Sequence, residues 1–243
     1  MSMAEFVNWP LLSENLGYLL VGRFPEEAPG GLLLTLLLSV VSMLLALPLG
    51  ALLALLCWFS PAWLRRVILL LGDLVRGIPL LLLIFWLYFF LPMLLGQGTP
   101  DLLSVVTALG LFSGVSVMHI LYGALTALPR GQHEAARAAG FSELQSLRWV
   151  LLPQLLPMTI PAFVNLLVAL IKDTSLAYIV SVPELTLLTN QVNNRTMVYP
   201  LQLFALAGLL YFLLCTLLST LAWHLERRQR GRGGFSLYAE HSA

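Results

Sequence analysis

Residues 129–153 read PRGQHEAARAAGFSELQSLRWVLLP and form the longest organised polar stretch in a chain dominated by apolar runs. Residues 132–139 are rich in alanine and lack β-branched side chains, which favours a short helix. Gly140 is suited to end that helix in a left-handed conformation. Ser142 and Gln145 then have the spacing of a capping box, which predicts a second helix.

The second helix is predicted to carry its apolar side chains on one face, at Leu144, Leu147 and Leu151. Pro153 is expected to interrupt it, because proline lacks the amide that a helix interior needs. Two helices joined by a glycine turn make a compact surface element. Its alanines permit a close approach and Phe141 offers an anchor, so the stretch is predicted to dock into a groove on a partner protein.

The sequence on both sides of this stretch predicts an all-α membrane protein. The chain is 59% hydrophobic and 10% charged, whereas soluble domains carry about 25% charged residues. About 20 consecutive apolar residues are enough for a helix to cross a bilayer. Five predicted spans meet that length, near residues 31–58, 67–95, 102–127, 154–180 and 201–224. Four prolines in or near them, Pro48, Pro79, Pro157 and Pro161, are expected to kink the helices without breaking them.

The spans lie between two terminal segments. In segment 1–30 apolar residues recur at intervals of three and four, which predicts an amphipathic helix in the membrane interface; they are Phe6, Trp9, Leu12, Leu16 and Leu19. Residues 31–225 form the predicted membrane domain, with the polar loop at 128–153. Residues 226–243 form a basic tail.

Positive side chains indicate the orientation, because they concentrate in cytoplasmic segments. Arg23 and Arg195 fall on one side of the predicted spans. Nine arginines fall on the other, namely Arg65, Arg66, Arg130, Arg137, Arg148, Arg227, Arg228, Arg230 and Arg232. The polar loop and the C-terminus are therefore predicted to be cytoplasmic and the N-terminus external, as five spans require.

The loop resembles that of the inner-membrane permease subunits of binding-protein-dependent ABC importers. Their pattern is E-A-A-x3-G-x9-I-x-L-P, and here it reads Glu134-Ala135-Ala136, Gly140, Val150 in the isoleucine position, and Leu152-Pro153. The segments Val75–Leu80, Lys172–Leu176 and Pro183–Leu185 are similar to the subfamily that serves histidine, glutamine, glutamate and arginine importers.

This resemblance implies a type I importer permease in the bacterial inner membrane, importing a polar amino acid or a related small solute. It implies that a cytoplasmic ATPase dimer docks on the loop, through Glu134, Ala135, Ala136, Gly140 and Phe141. It also implies a second permease subunit and a periplasmic solute-binding protein. ATP and magnesium would be bound by the ATPase, with no cofactor in this chain.

Polar residues at membrane depth are costly unless they face protein or water. One set is predicted to line or brace the path between two permease subunits: Asn165, Lys172, Asp173, Thr174 and Ser175. The alternative is a structural polar lock between helices. Asp73 and Arg76 are spaced for an i,i+3 pair near the cytoplasmic end of the second span, either as a snorkelling pair at the interface or as a gate.

His119 and Tyr122 share a face of the third span and are further candidates for the substrate path. The family often has Glu and Arg at these two positions, which suit the ammonium and carboxylate groups of an amino acid. Two explanations are possible: the ligand differs, or this chain is the subunit of a heteromeric pair that carries no substrate site. The second is favoured, which predicts a heterodimer over a homodimer. A hydrogen-bonded core role for His119 is the alternative.

Several other functions are disfavoured. The net charge of +1 gives no reason to expect nucleic acid. A phosphate-binding loop needs Gly-Lys, whereas Ile171 precedes Lys172, the one lysine. Hydrolase motifs and metal-ligand clusters are absent from the sequence, so no catalytic residue is assigned. A stand-alone secondary transporter or channel remains the alternative function, although such transporters usually show internal repeats.

Overall fold

The computed structural model of the protein describes residues 9–96 and 98–232. In these ranges the chain forms ten α-helices: α1 (Trp9–Val21), α2 (Gly31–Phe59), α3 (Ala62–Gly77), α4 (Leu80–Leu95), α5 (Asp101–Ala127), α6 (Arg130–Ala138), α7 (Glu143–Ser146), α8 (Leu152–Asp173), α9 (Leu185–Thr196) and α10 (Pro200–Arg232). A π-helical turn, Leu147–Leu151, joins α7 to α8, and a 3₁₀ segment, Thr174–Val180, follows α8. The predicted all-α class is confirmed.

The predicted spans correspond to long apolar helices in the described part of the chain. Four stretches are long and apolar enough to cross a membrane, namely Gly31–Phe59, Asp101–Ala127, Glu143–Val180 and Pro200–Thr220, and α3 with α4 would make a fifth. α10 continues beyond the predicted end of the membrane domain, to Arg232. Phe6 of the predicted N-terminal helix and the tail after residue 232 lie outside the described residues.

The second span differs from its prediction. The sequence predicted one helix over 67–95 with a kink at Pro79, and the structure has two helices that meet at 95°. Pro79 has no amide and disfavours helical backbone in the residue before it. Ile78 is accordingly extended, with φ −78° and ψ 131°. The expectation of a kink without a break is therefore wrong at Pro79, whereas Pro48, Pro157 and Pro161 lie inside continuous helices.

The expected interruption at Pro153 is also wrong. The helix runs on through this residue, which occupies the first turn of α8. The π-helical turn Leu147–Leu151 comes immediately before it. The loop and the fourth span therefore form one continuous helical element from Glu143 to Val180.

α2 and α5 form the centre of the bundle, and glycines let their backbones approach closely. A Cβ atom added at Gly50 would lie 2.4 Å from the Val117 Cβ and 2.5 Å from the Gly114 carbonyl oxygen. Leu45 and Leu49 of α2 fill the equivalent spaces at Gly110 and Gly114 of α5. Small residues of this kind are typical of helix contacts in membranes, where close packing replaces the hydrophobic effect.

The two ends of the bundle are closed by different elements. At one end α1 and α9 pack with α10 through Leu19, Leu185 and Leu203, which are fully buried. α1 confirms the predicted N-terminal helix over its described residues, whereas α9 lies in a connection for which the sequence predicted no helix. At the other end Leu147, Leu151 and Leu155 pack against the end of α5.

Candidate functional site

The loop between α5 and α8 forms the two-helix unit that the sequence predicted. α6 ends at Ala138, and Gly140, two residues later, has φ +88°. The Gly140 amide donates to the Arg137 carbonyl and the Phe141 amide donates to the Ala136 carbonyl, at 3.0 and 3.1 Å. This is the Schellman pattern, which favours glycine because its left-handed residue has no Cβ penalty. The predicted capping box is present at Ser142 and Gln145.

The motif residues of the loop face in different directions. Glu134, Ala135 and Gly140 are exposed, and Phe141 is 39% exposed. Ala136 is only 5% exposed and therefore packs inside its own subunit. The surface that this loop offers to a partner consists of the exposed side of α6 and the glycine turn.

A polar contact joins α3 to α5. Asp73 Oδ1 is 3.1 Å from His119 Nε2, and the two side chains are 64% and 28% exposed. The contact does not have the geometry of a hydrogen bond, although the two atoms lie within hydrogen-bond distance. Gly72 faces Val115 and Met118 of α5. His119 lies eight residues before the end of α5, which corresponds to about 12 Å.

The predicted Asp73–Arg76 pair is not formed. Asp73 turns to His119 instead, and Arg76 is exposed without an ion pair among the described residues. Asp73 follows Gly72, which faces the second half of α5 at Val115 and Met118. Sequence reasoning missed this contact because it joins two helices that no local pattern relates.

Tyr122 lies one helical turn after His119 on α5. It packs on the cluster of Ala54 and Cys57, and its other side borders a cavity of about 410 Å³ near the loop. Arg65 and Glu143 also line this cavity. His119 and Tyr122 lie one turn apart on α5, and only His119 contacts the carboxylate of Asp73 among the described residues.

The five polar residues predicted on the fourth span are divided between surface and interior. Asn165 and Lys172 of α8 are exposed, whereas Thr174 is fully buried and donates to the Ile171 carbonyl at 2.7 Å. Asp173 and Ser175 are half-buried. Within the described ranges Lys172 and Asp173 form no ion pair with each other or with another side chain. The exposed members of this set are therefore Asn165 and Lys172.

Glu184 is a buried carboxylate whose role the sequence did not reveal. It is fully buried at the N-terminus of α9 and accepts hydrogen bonds from the Thr186 and Leu187 amides, both at 2.9 Å, and from the Tyr211 hydroxyl at 2.8 Å. Burial raises the pKa of this carboxyl from 4.5 to about 7. The sequence carried no ordinary signal for this role, because glutamate is not among the preferred N-cap residues and the residues after it, Leu185 to Leu188, are mostly apolar.

The same short segment also contacts the start of α2. The Gly31 amide donates to the Pro183 carbonyl at 2.9 Å, and the Leu185 amide donates to Thr35 Oγ1 at 3.3 Å. Glu184 therefore holds α9 to α10 while its two neighbours hold α9 to α2. This end of the bundle is fastened by hydrogen bonds as well as by apolar packing.

The described residues offer no cluster of three or more His, Cys, Asp or Glu side chains that could hold a metal ion. Cys57 and Cys215 are free thiols. The polar groups that are brought together are suited to contact a solute, a second subunit or a docking partner.

Comparisons with known proteins agree with this geometry. Residues 46–231 match the family described as "Binding-protein-dependent transport system inner membrane component". The chain is 34% identical over 201 residues to the probable glutamine ABC transporter permease protein GlnP of Bacillus subtilis, covering 82% of this chain and 92% of that protein. It is 28% identical to the glutamate/aspartate import permease protein GltK of Escherichia coli, over 93% of this chain and 99% of that protein.

A solved structure supports the fold. The crystal structure of an amino acid ABC transporter with histidines superposes on this chain with a TM-score of 0.75 and 24% sequence identity. The superposition covers 94% of this chain and 99% of the other. The predicted type I importer architecture is thereby confirmed.

Proposed function

Because the chain belongs to the family of binding-protein-dependent transport system inner membrane components, we propose that it is the permease subunit of an ATP-driven importer for a polar amino acid. The family match carries this proposal, since residues 46–231 include the whole exposed loop unit. The relatives named for glutamine and for glutamate/aspartate import support an amino acid as the solute. A solute-binding protein would deliver that solute on the external side.

The loop is the docking element for a cytoplasmic ATPase dimer. Its exposed residues Glu134, Ala135 and Phe141 lie beside a rigid glycine turn, which presents them in one fixed arrangement. ATP and Mg²⁺ would be held by the ATPase, and this chain performs no covalent chemistry. The distribution of arginines supports a cytoplasmic loop and C-terminus and an external N-terminus in the bacterial inner membrane.

A second permease subunit would cover the polar surfaces that this chain leaves open at membrane depth. Lys172 and Asn165 are exposed on α8, and Asp73 is exposed beside His119 of α5. Charged groups at such depth normally face protein or water, because lipid contact costs several kcal/mol. We place the translocation path between these surfaces and the second subunit. The change of Glu and Arg to His119 and Tyr122 favours a sister subunit over an identical copy.

Purification and reconstitution test the proposal. The tagged chain should bring down an ATPase and a second permease from native membranes, and the complex in liposomes should import radiolabelled glutamine or glutamate when the binding protein and ATP are supplied. Uptake should stop when ATP is replaced by a non-hydrolysable analogue. Uptake by the purified chain alone, driven by an ion gradient, would establish the stand-alone transporter instead.

A further inference from the structure

We propose that His133 is a positioning residue that fastens the docking helix α6 both to α7 and to the end of α2, so that movement of α6 is passed to the first span. This inference rests on the proposed function, because it assigns a transmission role within the same loop. His133 lies directly before Glu134, and its side chain is only 28% exposed.

On the α7 side both ring nitrogens of His133 have a partner. Nδ1 is 3.1 Å from the Ser146 hydroxyl oxygen, and Nε2 is 3.3 Å from Glu143 Oε2. The tautomer with a proton on Nε2 satisfies both contacts, because Nε2–H points to the carboxylate and Nδ1 accepts from the hydroxyl. Ser146 is fully buried, so its hydroxyl has a strong requirement for a partner.

A second contact joins the two short helices through the same carboxylate. Arg137 Nε of α6 is 3.5 Å from Glu143 Oε1, and Arg137 also donates to the Phe141 carbonyl at 3.1 Å. The Glu143 carboxylate is therefore contacted by both His133 and Arg137, which lie on successive turns of α6. Together with the Schellman turn, these contacts make α6 and α7 one unit that moves without internal rearrangement.

On the other side His133 contacts α2. Its ring meets the edge of Trp58 at a centroid distance of 5.8 Å and an interplanar angle of 85°, an arrangement that is favourable between aromatic rings. Trp58 is the penultimate residue of α2 and also packs on the buried leucines Leu147 and Leu151. The unit formed by α6 and α7 is thus attached to α2 by a specific contact as well as by apolar packing.

Histidine is suited to this position because it makes all three contacts at once. A phenylalanine would keep the aromatic contact with Trp58 but would leave Ser146 and Glu143 without their partner. A glutamine could keep one polar contact and would lose the ring. The exposed residues Glu134 and Ala135 would still face outward, so docking of the ATPase should survive both changes.

The test uses the assembled complex with its ATPase and binding protein, with His133→Phe and His133→Gln compared with His224→Gln, an exposed histidine on α10. Co-purification of the ATPase and basal ATP hydrolysis should stay within about twofold of the unchanged complex. Binding-protein-stimulated hydrolysis and import per ATP should fall about tenfold in His133→Phe, the factor expected for one or two lost hydrogen bonds. The Gln variant should be intermediate and His224→Gln unaffected.

Glu143→Gln gives a second route if His133→Phe does not assemble. Glu143 is half exposed, so its loss should not prevent folding, and it should reduce stimulated hydrolysis in the same direction. Unchanged stimulation and import in these variants would overturn the inference, and so would loss of ATPase binding, which would make His133 a docking residue. If the unchanged complex shows no ATP-dependent import, the proposed function has failed rather than this inference.

Discussion

Glu184→Ala should destabilise the protein, and the loss should be larger at pH 5 than at pH 8. The substitution removes a buried carboxyl group that accepts hydrogen bonds from two amides of α9 and from the Tyr211 hydroxyl. Loss of a helix N-cap costs about 1 kcal/mol, and a buried hydroxyl without a partner costs about 1–3 kcal/mol. Tyr211 can turn in part to the Thr186 hydroxyl, which is 3.2 Å away. The net loss at pH 5 is therefore expected to be about 3 kcal/mol.

The pH dependence follows from the raised pKa of Glu184, which lies in the connection between the fourth and fifth spans. The folded carboxyl has a pKa of about 7, compared with an ordinary value of 4.5. The folded state thus binds more protons than the unfolded state between these values. The stability that Glu184 contributes is fully present below pH 4.5 and is lost as the pH rises through about 7. The difference between these two pKa values corresponds to about 3 kcal/mol of stability that is lost by pH 8. The substitution should therefore have little effect at that pH.

Thermal unfolding of the purified chain in detergent measures this effect. A loss of about 3 kcal/mol corresponds to a decrease in Tm of about 6–12 °C for a chain of this size. Glu27→Ala is the matched control, because Glu27 forms only an exposed ion pair with Arg23 and should change Tm by less than about 2 °C at either pH. An equal Tm loss at both pH values, or a larger loss at pH 8, would show that the buried carboxyl does not act in this way.

Three further substitutions test other parts of the structure. Gly50→Leu should separate α2 from α5 and destabilise the chain by about 3 kcal/mol in thermal unfolding. Gly123→Ala should be neutral, because a Cβ atom added there would meet no neighbouring group within 4 Å in the described part of the chain. Equal stability of both variants would refute the close contact. Gly140→Val should strain the turn at φ +88° by about 1–2 kcal/mol and weaken ATPase co-purification, while Gly140→Asn should be tolerated better. Lys172→Leu should abolish amino-acid uptake by the complex, and a normal rate with a normal KM would exclude Lys172 from the path.

The features that the sequence predicted correctly are local ones. Gly140, Ser142 and Gln145 specify the turn and the cap through residues that are neighbours in the chain, so reading the sequence was sufficient. The apolar spans follow from composition alone. Pro79 was ambiguous, because the sequence does not show whether neighbouring helices compensate a missing hydrogen bond or allow the helix to break.

The features that were missed depend on which helices meet. Asp73 and Arg76 have the spacing of a helical pair, yet His119 from another helix takes the carboxylate. Glu184 lies in a connection between spans, and its burial depends on Tyr211 of another helix and on the contact of its neighbour Leu185 with Thr35. Sequence spacing indicates the contacts within one helix, whereas the contacts between helices require their packing.

The packing also suggests how the loop and the middle of the bundle are related. Trp58 lies beside the loop near the end of α2. Gly50, eight residues earlier, is in close contact with the backbone of α5. Helices in direct backbone contact cannot shift independently without creating overlaps or voids. We therefore expect a displacement of α6 to carry α2 and α5 together, and His119 on α5 would then move relative to Asp73 on α3. The Asp73–His119 contact lacks hydrogen-bond geometry, so it should break more easily during this movement than a hydrogen bond at the same position would.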